Sequence, residues 1–336
     1  MRILNRCFMK IDNGYFYPEV GRTESREKGP ALEMKFLFSP HATAEDFRSF
    51  KFEFDKADVF VPELFGWSEE TLQTLRELSI ENNPDDSVPN FGLATGEIVK
   101  NISGSQKAIE LVDVPKGDPI EKLQREAIKI GNESLNLTDF NGMISGVKSF
   151  LIKFSEAQKL REEYMVSKIK TLRNKIEEDY PELAKKDKLN VLIALGSFHT
   201  DIYNKVRESF GTAQELNTVP QIYDNLIGIL QKIQQIEHPG NDDVTDIEVA
   251  RYWISAEMRD GIFPPTGNTE KFSEYLWLAS RQFSLEEIKS LFERRSSKTP
   301  YIKEELEKKG FPVPIACIMP DERFDKFLKS CRELGV

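Results

Sequence analysis

Residues 189–203 read LNVLIALGSFHTDIY, and this stretch sets the fold class. The apolar run 189–195 has the length of a buried strand, Gly196 ends it, and His199 follows three residues later. Open α/β sheets place such a corner, a strand end with a polar residue just beyond it, at the carboxyl edge where ligands gather. His199 is one of three histidines in the chain. Alone it is ambiguous, because a histidine after a buried strand serves equally well as a hydrogen-bonded structural residue.

Working outward, three more corners of the same kind emerge. Residues 31–39 (ALEMKFLFS) have strand length and run into Pro40-His41. Residues 57–63 (ADVFVPE) hold a short Val-Phe-Val run closed by Pro62, with Glu63 beyond it. Residues 107–114 (KAIELVDV) read as a further strand, ending near Asp113 and Pro115. Between the strands the period changes to that of a helix. Ser68 caps a run with leucines at 72, 75 and 78, and residues 118–186 carry apolar positions at spacings of three and four until Tyr180-Pro181. Residues 82–105, rich in Asn, Asp, Gly, Pro and Ser, read as a long loop with one helical turn near residues 97–100, and Asn13-Gly14 as a hairpin turn. Strands alternating with helices predict an α/β fold, a mostly parallel or mixed sheet covered by helices.

Beyond the opening stretch, residues 199–210 and 220–237 are expected to be helical, and HPGNDD at 238–243 breaks the pattern. The remainder reads as helices only, with Ser284 and Glu287 spaced as a capping box. The expected organisation is an α/β domain over 1–240 with a helical insertion around 118–186, followed by a helical C-terminal region over 241–336. Trp253, Tyr275 and Trp277 are expected in the core of that region.

Composition narrows the function classes. A net charge of −10 disfavours broad binding to phosphate backbones, so nucleic acid is not an expected partner. Cys7, Cys317 and Cys331 form no CxxC or Cys/His ligand pattern, which favours a reducing compartment over a disulfide framework. The first 20 residues lack the apolar core of a signal peptide, and no apolar run reaches the roughly 20 residues of a membrane span. A cytoplasmic protein is expected.

If the strands are parallel neighbours, His41, Glu63, Asp113 and His199 meet at one sheet edge. Two imidazoles with one or two carboxylates suit a divalent metal (Mn, Co or Zn) held by His41, Glu63 and His199, with Asp113 in reserve. They suit equally a metal-free set in which a histidine or Glu63 acts as general base. The bland alternative is that each residue caps its own loop. GxSxG, GxGxxG, P-loop and HExxH signatures are all absent.

Four landmarks, in order, resemble the TraB/TIKI-like superfamily, which takes in ChaN-like haem-binding proteins and erythromycin esterases. They are FSPH at 38–41, ADVFVPE at 57–63, REEYM at 161–165 and GSFH at 196–199, so the likeness spans about 36–230. Phe38 stands where the family's first motif has glycine, and Glu162 where its arginine–acid pair has aspartate. The resemblance implies hydrolase-like chemistry on a peptide, ester or other small-molecule substrate, with His41, Glu63 and His199 as acid/base groups or metal ligands. Arg161 is then expected to pair with a site carboxylate. The alternative is a non-catalytic binding protein that keeps the fold, with the C-terminal helices as a surface for a protein partner.

Overall fold

The computed structural model describes residues 29–39, 44–81, 99–196, 199–210, 213–217, 225–259, 269–295, 300–314 and 321–334. The expected hairpin at Asn13-Gly14 and most of the expected loop at 82–105 lie outside them; within that loop, residues 99–102 are helical. The α/β expectation holds, and the sheet is wholly parallel. Its strands are β1 (Ala31–Ser39), β2 (Val59–Pro62), β3 (Ala108–Ile109), β4 (Lys188–Gly196) and β5 (Gln214–Asn217), in the order β3-β2-β4-β1-β5.

Side chains alternate across this sheet, as a period of two requires. Phe36, Phe38, Val59, Val61, Val191, Ile193 and Leu195 face one layer, and Leu37, Phe60, Leu192 and Ala194 the other. The second layer comes from α1 (Ala44–Lys56) and α2 (Glu69–Ile80), through Phe50, Phe54, Leu72, Leu75 and Leu78. Ser68 caps α2 as expected, its hydroxyl accepting from the Thr71 N–H at 3.2 Å. The first layer is built by the second half of α4 (Phe140–Asp179) and by α5 (Thr200–Phe210). Phe36, Leu37 and Phe38 are all fully buried, the two phenylalanines contributing about 1.5–3 kcal/mol each, so β1 is apolar on both faces over its second half, whereas Glu33 and Lys35 alternate with Leu32 and Met34 in its first.

Three expectations change. The third strand is only Ala108–Ile109; residues 110–114 run on outside the ladder to Pro115, held at their ends by the Glu110 N–H donating to the Phe60 carbonyl at 3.1 Å and the Val114 carbonyl accepting from the Gly66 N–H at 2.8 Å. β5 (QELN) and α1 were not anticipated: β5 is polar, and the aromatic crowding of α1 hides the buried spacing of Phe50 and Phe54.

The helical core also starts earlier than residue 241. α3 (Pro119–Leu135), the first half of α4 and α6 (Asn225–Gln234) share one apolar cluster with α7 (Asp246–Glu257), α8 (Thr269–Ser280), α9 (Leu285–Arg294), α10 (Pro300–Lys308) and α11 (Asp321–Glu333). The break at 238–243 is therefore a turn between two packed helices. Trp253 and Tyr275 are central in this cluster, with Trp277 packed against it. At 40 residues, α4 is about 60 Å long and belongs to both cores. Its residues from Phe140 to Leu151 pack into the helical cluster and Met165 to Ile176 onto the sheet. The changeover, with Ser155, Gln158, Arg161 and Glu162 all buried, lies at the carboxyl edge of the sheet. No described helix is long and apolar enough to cross a membrane.

Candidate functional site

Strand order locates a crevice. After β2 the chain crosses to β3 on one side, and after β4 to β5 on the other, so connections diverge between two adjacent strands. Such a divergence leaves an opening beyond the strand ends. Glu63 follows β2 directly and His199 lies three residues past β4.

The two side chains meet there, His199 Nε2 lying 3.3 Å from Glu63 Oε1. Arg161 reaches in from α4 and donates through Nη2 to the same Glu63 oxygen at 2.7 Å. It grips Asp113 with two further bonds, Nε to Oδ1 at 2.8 Å and Nη2 to Oδ2 at 2.6 Å. The other Glu63 oxygen accepts from the Gly196 N–H at 2.5 Å. Of the five expected site residues, Glu63, Asp113, Arg161 and His199 thus form one connected network, and His41 lies outside the described residues.

Several partners were not singled out from sequence. Glu162, one residue along α4 from Arg161, places Oε1 at 3.4 Å from His199 Nδ1, in electrostatic reach but without a direct hydrogen bond. Lys205 stands 3.7 Å behind Glu162. The Phe65 ring lies 4.8 Å from the Arg161 guanidinium, and Trp67 Nε1 donates to the Asp113 carbonyl at 2.7 Å. Gly196 earns its place by closeness rather than by a left-handed backbone: a Cβ there would sit 3.0 Å from Glu63 Oε2. The one legible signal for Glu162 was its place beside Arg161; the others come from tertiary packing.

Charge follows from these contacts. Burial works to raise the Glu63 carboxyl, but the His199 charge and hydrogen bond, the Arg161 charge and the Gly196 N–H outweigh it and hold the group well below the usual carboxylate range. Burial likewise works against a charged His199; Glu63 and Glu162 overcome it and push the imidazole up to about 9. At neutral pH the network therefore contains an imidazolium and an ionised Glu63. His199 is 1% exposed, whereas the Glu63 side chain is 22% exposed, so the carboxylate is the member that solvent reaches.

These donors do not fit a divalent metal. Asp113 gives both oxygens to Arg161, Glu63 spends both of its own, and a guanidinium 2.7 Å away opposes a second cation. Among the described residues no group of three His, Cys, Asp or Glu side chains is arranged to hold an ion.

Comparison with protein-family models, curated proteins and solved structures finds no match in any of the three. The superfamily likeness therefore rests on the four short motifs alone.

Proposed function

We propose that the chain is a metal-free hydrolase of TraB/TIKI-like type, acting on an ester or peptide bond with the His199–Glu63 pair as its proton source. The observation that carries the reading is the 3.3 Å contact between a protonated imidazole and an ionised carboxylate at the crevice between diverging strands. Hydrolysis needs a base to take a proton from water and an acid to protonate the leaving atom. A carboxylate held as strongly ionised as Glu63 is a poor base. Its suited role is to orient water and to keep His199 protonated, so that the imidazolium is the group that carries the proton for the leaving atom. Arg161, clamped on Asp113, fixes Glu63 in place. His41 follows Ser39 by two residues, and Ser39 pairs in register with Gly196, which supports it as the second imidazole and the base.

The closed network also favours a second reading, since every Glu63 oxygen is already occupied: a binding protein that keeps the fold without chemistry. His199→Gln, screened on ester and peptide substrates after chelator treatment, separates the two. The expected loss is about 10²–10⁴-fold, the usual worth of positioned acid–base catalysis. Folding is checked by circular dichroism. Equal rates for a folded variant and the parent would leave only the binding reading.

A further inference from the structure

A cavity of about 270 Å³ opens at the amino edge of the sheet, at the far end of the strands from the His199–Glu63 crevice. The last turn of α2 brings Arg76 and Ile80 to it, Tyr180 and Leu183 come from just beyond α4, and Lys107 and Ala108 from the start of β3. Its wall is of two kinds. Ile80, Ala108 and Leu183 are apolar, and Tyr180 joins them because its hydroxyl is spent on both backbone groups of Ile109. Arg76 and Lys107 are cations.

Neither cation is fully spent. Lys107 donates to the carbonyls of Asp55 at 3.2 Å and Ala57 at 2.7 Å, at the end of α1, and forms no ion pair with a described carboxylate. An ammonium has three hydrogens to give, so one remains. Burial pushes this ammonium down despite the Asp55 and Asp58 charges, as expected of a cation half out of water without a counter-ion. Arg76 uses Nε on the Ile109 carbonyl at 3.3 Å and Nη2 on Glu110 and Asp179, which leaves both hydrogens of Nη1. The carboxylates on the wall do not answer these donors. Asp58 is held by Lys186 at 2.7 Å and by the Asn190 N–H at 2.8 Å, and Glu182 is exposed.

We propose that this cavity binds a small monocarboxylate with an apolar body, its carboxylate on Lys107 and Arg76 and its body against Ile80, Ala108, Tyr180 and Leu183. The unspent hydrogens of two cations suffice for two carboxylate oxygens. A dianion such as phosphate fits less well, because Asp58, Asp179 and Glu182 stand close to the cations and the apolar wall offers it nothing. The volume falls just short of the usual range for drug-sized ligands, which limits the occupant to a small molecule. This site is independent of the hydrolase reading, whose residues all lie at the other edge.

The test is a nuclear magnetic resonance titration of the isotope-labelled full chain with benzoate and with hexanoate, at fixed ionic strength set with chloride. Saturable shifts are expected at the Ala108, Ile109 and Leu183 amides and not at Gly196. Benzamide, a ring without the charge, and acetate, a charge without the body, should each bind about tenfold more weakly or worse. Lys107→Met, which keeps the stem and loses the charge, should weaken benzoate about tenfold. Glu182→Gln, at an exposed position, should tighten it about two- to threefold by removing a like charge from the rim. Absence of saturable shifts with both carboxylates, or equal affinity for benzoate and benzamide, overturns the proposal. Unchanged benzoate affinity in a folded Lys107→Met does the same. If that variant does not fold, a Glu182→Gln affinity no tighter than the parent's overturns it.

Discussion

Each edge of the sheet holds one guanidinium between two carboxylates, yet the carboxyls respond in opposite directions. At the carboxyl edge Arg161 lies between Glu63 and Asp113. Toward the amino edge, Arg76 Nη2 donates to Glu110 at 2.6 Å and to Asp179 at 2.5 Å. α4 serves both sites, with Arg161 and Asp179 about 27 Å apart along its axis. Glu63 is held strongly ionised, whereas burial pushes Glu110 up to about 7, the Arg76 charge notwithstanding and with the Asp179 charge adding to the rise. Donor supply makes the difference. Glu63 is met by Arg161, the Gly196 N–H and His199, whereas Glu110 takes one bond from a nitrogen it shares with Asp179. A buried carboxylate stays charged only when its lone pairs are filled. The carboxyl edge is built to keep charge, and the amino edge to shed it.

The largest effect should come from removing each arginine. Arg161→Met leaves the fully buried Asp113 and the partly buried Glu63 without their cation and is expected to cost about 3–5 kcal/mol. Arg76→Met is expected to cost only about 1–2 kcal/mol, because Glu110 escapes by taking up a proton. Denaturant unfolding at pH 7 compares them, and equal costs would erase the contrast.

Next comes the pH dependence of Glu110. Its carboxyl is raised in the folded state, so the folded chain holds the extra proton and stability is lost as pH rises from 4.5 through 7. Glu110→Gln should gain on the parent by on the order of 3 kcal/mol across that window. His199 behaves alike in a later window: its contribution is full below about 6.5 and lost as pH rises through 9. Glu63 runs the other way, its contribution present above 4.5 and lost in acid. Unfolding curves at successive pH values check all three, and a Glu110→Gln difference that is flat with pH would show that Glu110 is not held neutral.

Smaller effects sharpen the geometry. Gly196→Ala crowds a Glu63 oxygen that Arg161 and the backbone already pin, with an expected cost of about 1–2 kcal/mol and a lowered His199 basicity. Tyr180→Phe should cost about 1 kcal/mol, because the hydroxyl donates to the Ile109 carbonyl at 2.9 Å and accepts from its N–H at 3.1 Å along the open side of the edge strand β3. Faster hydrogen exchange at the Ile109 amide is the readout.

What the sequence made legible follows this division. β2 and β4 are apolar runs and β1 an aromatic-rich strand, each closed by proline or glycine, so their ends and the corner residues Glu63 and His199 could be read directly. Arg161 and Asp113 were legible as candidates, but the double hydrogen bond joining them depends on α4 crossing the sheet edge at residue 161. β5 was hidden because three of its four residues are polar, and the amino-edge cluster because Arg76, Glu110 and Asp179 sit on three separate segments with no shared motif. The shared helical core escaped for a related reason: turn residues at 238–243 look the same whether they separate domains or join packed helices.

The central claim is that Glu63 keeps a buried His199 protonated. Nuclear magnetic resonance of the imidazole ring protons, assigned with His199→Gln, tests it most directly. The parent should titrate at about 9, and Glu63→Gln should bring His199 down toward or below its ordinary value near 6.5. A His199 that titrates near 6.5 in the parent, or that is unmoved by Glu63→Gln, would contradict the account.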